Sequence, residues 1–166
     1  MPRKRIIPDA SVFATIQRLL EDGGEKAVSF GSVSTATGLA PPTLVQRYGS
    51  RDAMVRAARL AFWDALDSRT AEAVAATAGK GPQGLLKAIG PVDATAIAAD
   101  LRDPDLAQRA AAWRASVEAA LVQRLGSGGK APESAPLLFA AWQGLSLWSA
   151  RGSSDLRLKD AVKRLT

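Results

Sequence analysis

Val28–Arg51, VSFGSVSTATGLAPPTLVQRYGSR, reads as two short helices around a glycine turn, and the rest of the chain is organised around it. Ser29 is the expected N-cap, because its hydroxyl accepts from the orphan N–H groups of a helix opening at Phe30. Val33 and Ala36, with Thr37 beside them, supply a small apolar face. Gly38 ends that helix, since the turn needs a left-handed residue, and Leu39 tucks under both helices. Pro41 and Pro42 fit only a first turn, so the second helix starts there and runs to about Tyr48. Leu44 and Tyr48 then share the buried face, and Thr43, Val45, Gln46 and Arg47 look outward. This is the grammar of a helix-turn-helix, spanning about residues 29–48.

A second helix of roughly eight residues is about 12 Å long, close to the width of a major groove. Its outward set offers an amide, a hydroxyl, a guanidinium and a branched methyl side chain, all able to address base edges or phosphates. No acidic residue occurs from Ala27 to Arg51, so nothing in that stretch repels a phosphate backbone.

The segment Gly24–Val55 resembles the DNA-binding domain of the TetR family of bacterial transcriptional repressors. That pattern ends its first reading helix in Ala-x-x-Gly-Val, continues Ser-x-x-Thr-Leu-Tyr-x-His-Phe, and opens a long helix on a basic residue. The matches are Gly24, Val28, Ser29, Val33, Gly38, Leu39, Thr43, Leu44, Tyr48, Ser50, Arg51 and Met54, without a gap. Val45 departs from a phosphate-contacting Tyr, Arg47 replaces a frequent His, and Ala40 replaces the usual Ser N-cap. That last change costs the helix about 0.5–2 kcal/mol, which Pro41 partly offsets. Gly31 stands where some members place a base-reading side chain. The resemblance implies that Thr43, Gln46 and Val45 read bases while Ser29, Arg47 and Arg51 hold phosphates, with Phe30 and Pro41 completing the DNA-binding set.

With 166 residues, 47% of them hydrophobic and 5% aromatic, the chain is long enough for a real core and suits packed helices better than a β-sandwich. The expected fold is all-α: a three-helix DNA-binding domain over 1–56 and a helical dimerisation and candidate ligand-binding domain over 57–166. Net charge is +6, but the surplus is even along the chain, so charge alone says little about a polyanion partner. Cysteine and histidine are both absent, which removes disulfides, thiol chemistry, the usual transition-metal sites and His-based general bases. No cofactor, no metal and no catalytic residue is expected, and the composition fits a reducing cytoplasm. Met1-Pro-Arg-Lys-Arg leads into Ile6-Ile7-Pro8 with no apolar h-region, and no run of about 18 apolar residues occurs, so neither a signal peptide nor a membrane span is expected.

Arg3, Lys4 and Arg5 form a basic arm, either lying along a DNA backbone or minor groove or simply solvated. A first helix starts at Pro8 or Asp9, buries Val12, Phe13, Ile16, Leu19 and Leu20, and ends at Gly23-Gly24. Ser50 is the expected cap of a long helix from Arg51 to about Thr77. On it Arg56 and Arg59 either approach DNA or face solvent, and Phe62, Trp63 and Leu66 enter a second core. Short helices are expected over Gln83–Ile89 and Val92–Leu101. Asp103-Pro104 opens another that runs to about Leu125, with Leu106, Ala110, Trp113, Val117 and Leu121 as its stripe. Gly126 to Pro132 reads as a flexible connection. Pro136–Ala150 is apolar nearly all round, which means either a subunit interface or a fully buried monomer core. Ser153 or Ser154 caps a last helix carrying Leu158, Ala161, Val162 and Leu165.

The family resemblance implies a homodimer through the two C-terminal helices, for which Leu138, Leu145, Trp148, Leu158 and Val162 are the candidate interface residues. It also implies a small-molecule site, where Trp63, Trp113, Phe139 and Trp142 either line a pocket or are core aromatics. With no His or Cys, such a pocket favours a small hydrophobic ligand over a metal. The expected function is therefore a homodimeric, double-stranded-DNA-binding repressor on an inverted repeat, released by a small apolar ligand. Two alternatives stand beside it: a ligand-independent dimeric DNA-bound adaptor acting through a protein partner, and an all-α interaction module without DNA binding. An enzyme is not expected, since no nucleophile sits near a recognisable base.

Overall fold

The computed structural model describes residues 7–126, 130–148 and 157–165. Among them the chain forms nine α-helices and no strand. They are α1 (Asp9–Gly23), α2 (Phe30–Thr37), α3 (Pro41–Tyr48), α4 (Arg51–Ala76), α5 (Pro82–Ile89), α6 (Ala94–Asp100), α7 (Pro104–Leu125), α8 (Ala131–Trp148) and α9 (Leu158–Leu165), with a 3-10 turn over Glu25–Ala27. Two compact units divide the chain, Met1–Ala65 and Leu66–Thr166, nine residues beyond the expected boundary at 56/57. Helix α4 begins in the first and ends in the second.

In the first unit Val12 and Ile16 of α1, Val28, Val33 of α2, Leu44 of α3 and Met54 of α4 form one buried cluster. Phe13, Leu19, Leu20, Leu39 and Tyr48 pack around it half-buried. Each fully buried aliphatic side chain is worth about 1.5–3 kcal/mol, so the eight-residue helices α2 and α3 are held chiefly by this shared cluster.

Local chemistry sets the boundaries. Ser29 accepts from the Ser32 N–H at 3.0 Å, and Ser32 Oγ accepts from the Ser29 N–H at 2.9 Å, a reciprocal capping box at the start of α2. Gly38 closes α2 at φ 76°, a conformation that strains any residue with a Cβ. Ala40 gives α3 no side-chain cap, but Pro41 at its first position forfeits only an orphan N–H. Ser50 caps α4 by accepting from the Ala53 N–H at 3.1 Å. Ala36 is exposed, contrary to expectation. Thr37 turns inward instead, its hydroxyl donating to the Val33 carbonyl at 2.6 Å.

In the second unit the α7 stripe Leu106, Ala110, Trp113, Val117 and Leu121 is buried as its spacing requires. It packs on α5, which buries Leu85, Leu86 and Ile89, and on α8, which buries Leu138 and Phe139, while α9 packs on α8 and α5 and buries Ala161. Trp113 Nε1 donates to the Thr70 hydroxyl at 2.9 Å, which joins α7 to the last turns of α4. Arg124 Nη2 donates to the Val74 carbonyl at 2.8 Å, satisfying one of the carbonyls left open where α4 ends. Ser134 Oγ donates to the Leu165 carbonyl at 2.8 Å and links α8 to the end of α9.

Three boundaries differ from expectation. Helix α5 includes Pro82, which suits a first turn. Helix α6 begins two residues late, because Asp93 accepts from the Thr95 N–H at 2.8 Å and leaves Val92 outside, buried as an apolar residue ahead of the cap. Helix α8 begins at Ala131 rather than Pro136, so that proline lies inside the helix and removes the bond to the Pro132 carbonyl. The expected caps Ser153 and Ser154 lie outside the described residues, as does the arm Arg3–Lys4–Arg5. No helix among the described residues is long and apolar enough to cross a membrane.

Candidate functional site

Helices α2 and α3 carry the side chains that the sequence singles out. On α3, Leu44 is fully buried and Tyr48 half-buried, which turns Pro41, Val45 and Gln46 to solvent, with Val45 45% exposed. Thr43 is half-buried beside them. Phe30 opens α2, but its ring packs on the apolar cluster and is not part of the outward set.

The hydroxyl and the two guanidiniums assigned to phosphates each have intramolecular work. Ser29 Oγ is engaged in the cap of α2. Arg47 Nη1 donates to the Ile7 carbonyl at 2.8 Å and lies 3.5 Å from Asp9 Oδ1. The same carboxylate oxygen accepts the Tyr48 hydroxyl at 2.5 Å. Burial, together with the bond to the Asp9 carboxylate and its charge, pushes the Tyr48 phenol up to about 12. Asp9, Arg47 and Tyr48 thus fasten the first turn of α1 to the last turn of α3. Arg51 is drawn further inward: Nε donates to the Val28 carbonyl at 2.9 Å, Nη2 to the Glu25 carbonyl, and Nη1 to Asp52 at 2.8 Å. It anchors the turn before α2 to the start of α4. Arg59 pairs with Glu25 at 2.9 Å and is mostly covered. Asp9, Glu25 and Asp52, the acids in these contacts, carry no sequence signal beyond their sign.

In the second unit a cavity of about 310 Å³ lies between α6, α7 and α8. Trp113 and Phe139 line it; their ring centroids are 5.6 Å apart, edge to face. Trp142 packs on both rings from behind, at 6.3 and 5.8 Å, and does not line the space. Trp63 belongs to the first unit, buried with its ring edge-on to Phe62. Ile97, Leu101, Gln143 and Arg114 also line it, with three alanines of α7, and were not anticipated. Helix periodicity hides them, because it marks a core stripe and not which partly covered side chains of neighbouring helices border a space.

Helix α8 is apolar on two faces. Leu138 is 0% exposed, so it belongs to the monomer core and not to an interface. The outward face is instead Leu137, Leu147 and Trp148, with Trp148 64% exposed. Leu145 of α8 and Leu158 and Val162 of α9 are half-buried.

No family model and no curated protein matches the sequence. Among solved structures, the chain resembles the crystal structure of a protein assigned to the TetR family of transcriptional regulators, from Rhodococcus sp.: the TM-score is 0.61, identity is 17%, and 95% of this chain and 93% of that one are covered. The chain has the TetR-regulator fold. At that coverage the TetR-like resemblance is not confined to the helix-turn-helix.

Proposed function

We propose that the chain is a homodimeric DNA-binding transcriptional regulator of TetR type, a cytoplasmic repressor that occupies an inverted-repeat operator and is released by a small ligand. The observation that carries this reading is the outward face of α3, where Pro41, Val45 and Gln46 stand exposed on a helix held from behind by Leu44, in a stretch without an acidic side chain. Gln46 is suited to bidentate bonding with adenine and Val45 to a thymine methyl, with Thr43 able to bond either base type beside Gln46. The remaining N–H groups of Arg47 address phosphate from the end of the same helix.

Dimerisation is supported by Leu137, Leu147 and Trp148, large apolar side chains exposed on one helix. A two-fold dimer presents two copies of α3 to half-sites about 34–36 Å apart or a multiple of that, and bound protein blocks polymerase. Release is supported by the cavity in the helical unit. Selection of bound duplexes from a random pool at moderate salt tests the reading. Enrichment of an inverted repeat is expected; recovery of no duplex at low salt would overturn it.

A further inference from the structure

One end of the cavity between α6, α7 and α8 is polar. Ala107, Ala110 and Ala111 share one face of α7 and bring only methyl groups to the wall, while Leu101, just past the end of α6, lines the space and is exposed. Trp113, further along α7, and Phe139 of α8 supply aromatic surface, which favours a flat ring through edge and offset-stacked contacts beyond simple burial. At about 310 Å³ the space is at the small end of ligand cavities, enough for one or two rings.

The polar groups converge on that aromatic wall. Gln143 lies one turn after Phe139 on α8, lines the cavity, and has its Nε2 buried without a hydrogen-bond partner. A buried amide donor left unpaired is costly, and an acceptor brought by a ligand would satisfy it. Arg114 holds its guanidinium carbon 5.7 Å from the centre of the Phe139 ring, and its Nε donates to Glu118 at 2.6 Å. That bond is made by Nε and does not use the Nη groups, which lie with the guanidinium over the ring. Glu118 offsets the Arg114 charge and repels a dianion such as a phosphate ester more than a monoanion, so what the pair offers is directed N–H groups rather than net charge.

Building on the regulator reading, we propose that this cavity takes a small aromatic monocarboxylate, its ring between the alanine face of α7 and Phe139, and its carboxylate on the Gln143 amide and the Arg114 guanidinium. A hydrogen bond to a charged group contributes roughly a factor of ten or more in affinity. The specificity therefore lies in two side chains that no helix-packing argument requires.

Calorimetric titration of the full chain with 1-naphthoate, 1-naphthylamine and octanoate tests this. Naphthoate is expected to bind at least about tenfold more tightly than either of the others, which lack the carboxylate or the ring. Arg114→Gln and Gln143→Leu should each weaken naphthoate by about tenfold while leaving naphthylamine nearly unchanged. Ala111→Phe, at an exposed position, should fill the space and abolish binding with the melting temperature retained. No naphthoate binding by a folded chain, equal binding of octanoate, or indifference to both polar substitutions would overturn the proposal. Duplex binding is measured separately on the same preparations. Naphthoate uptake by a chain that binds no duplex would sink the regulator reading and keep the ligand assignment. Sequence-specific duplex binding with no naphthoate uptake would sink the ligand assignment alone.

Discussion

Arg47 joins two roles that sequence treats separately. Its outward position on α3 suggests phosphate, yet its Nη1 holds the Ile7 carbonyl and faces Asp9 across forty residues of chain. Arg47→Ala is therefore expected to lower stability by about 1 kcal/mol in urea denaturation, because a partly exposed hydrogen bond and ion pair are lost together. The same change should weaken all duplexes alike and reduce the salt slope by about one unit. A variant that shifts the slope without touching stability would mean the Ile7 contact carries no weight. Tyr48 gives a pH signature. Its phenol titrates near 12 in the folded chain against an ordinary value near 10, so the proton is held more tightly when folded. The stability linked to it is full below about pH 10 and is lost as pH rises through 12. Tyr48→Phe should flatten that alkaline loss in denaturation midpoints measured across the window. None of this was legible beforehand, since Asp9, Arg47 and Tyr48 meet only after α1 and α3 have packed.

At the scale of elements, the helix-turn-helix was legible because each of its boundaries is set by a residue with a local mechanism. Ser29 caps, Gly38 takes a left-handed turn, and Pro41 opens a helix, all without help from distant contacts. The capping box adds Ser32, whose Oγ also donates to the Ala27 carbonyl at 2.8 Å. Ser32→Ala should destabilise the N-terminal unit by about 1 kcal/mol, read by urea denaturation, whereas Thr35→Ala on the exposed side should change it much less. The α8 boundary was not legible, because Pro136 carries the same signal at a first turn as in a tolerated interior position. Nor was its rotation: with Leu137 and Leu138 adjacent and both apolar, periodicity does not say which one faces the core. Packing decides for Leu138. The cavity shows the same division. Trp113 was marked by the α7 stripe, but Trp142 sits behind the lining, and Gln143 is an ordinary polar residue until its burial is seen.

For the whole molecule the proposal is that two copies act together on one operator. The exposed α8 face predicts that Trp148→Glu, which removes no core packing at 64% exposure, shifts the sedimenting species from dimer to monomer. Duplex affinity should fall with it, because the second head is no longer tethered. An unchanged dimer would move the interface elsewhere. Selection from a random duplex pool, run in parallel on the native chain and on Gln46→Ala, bears most directly on α3 as the reading element. The native chain is expected to enrich an inverted repeat with half-site centres about 34–36 Å apart or a multiple of it. The variant should enrich the same repeat relaxed at one base position in each half, a discrimination loss of about 1–3 kcal/mol. Identical motifs from both proteins, or no motif from the native chain, would contradict that assignment.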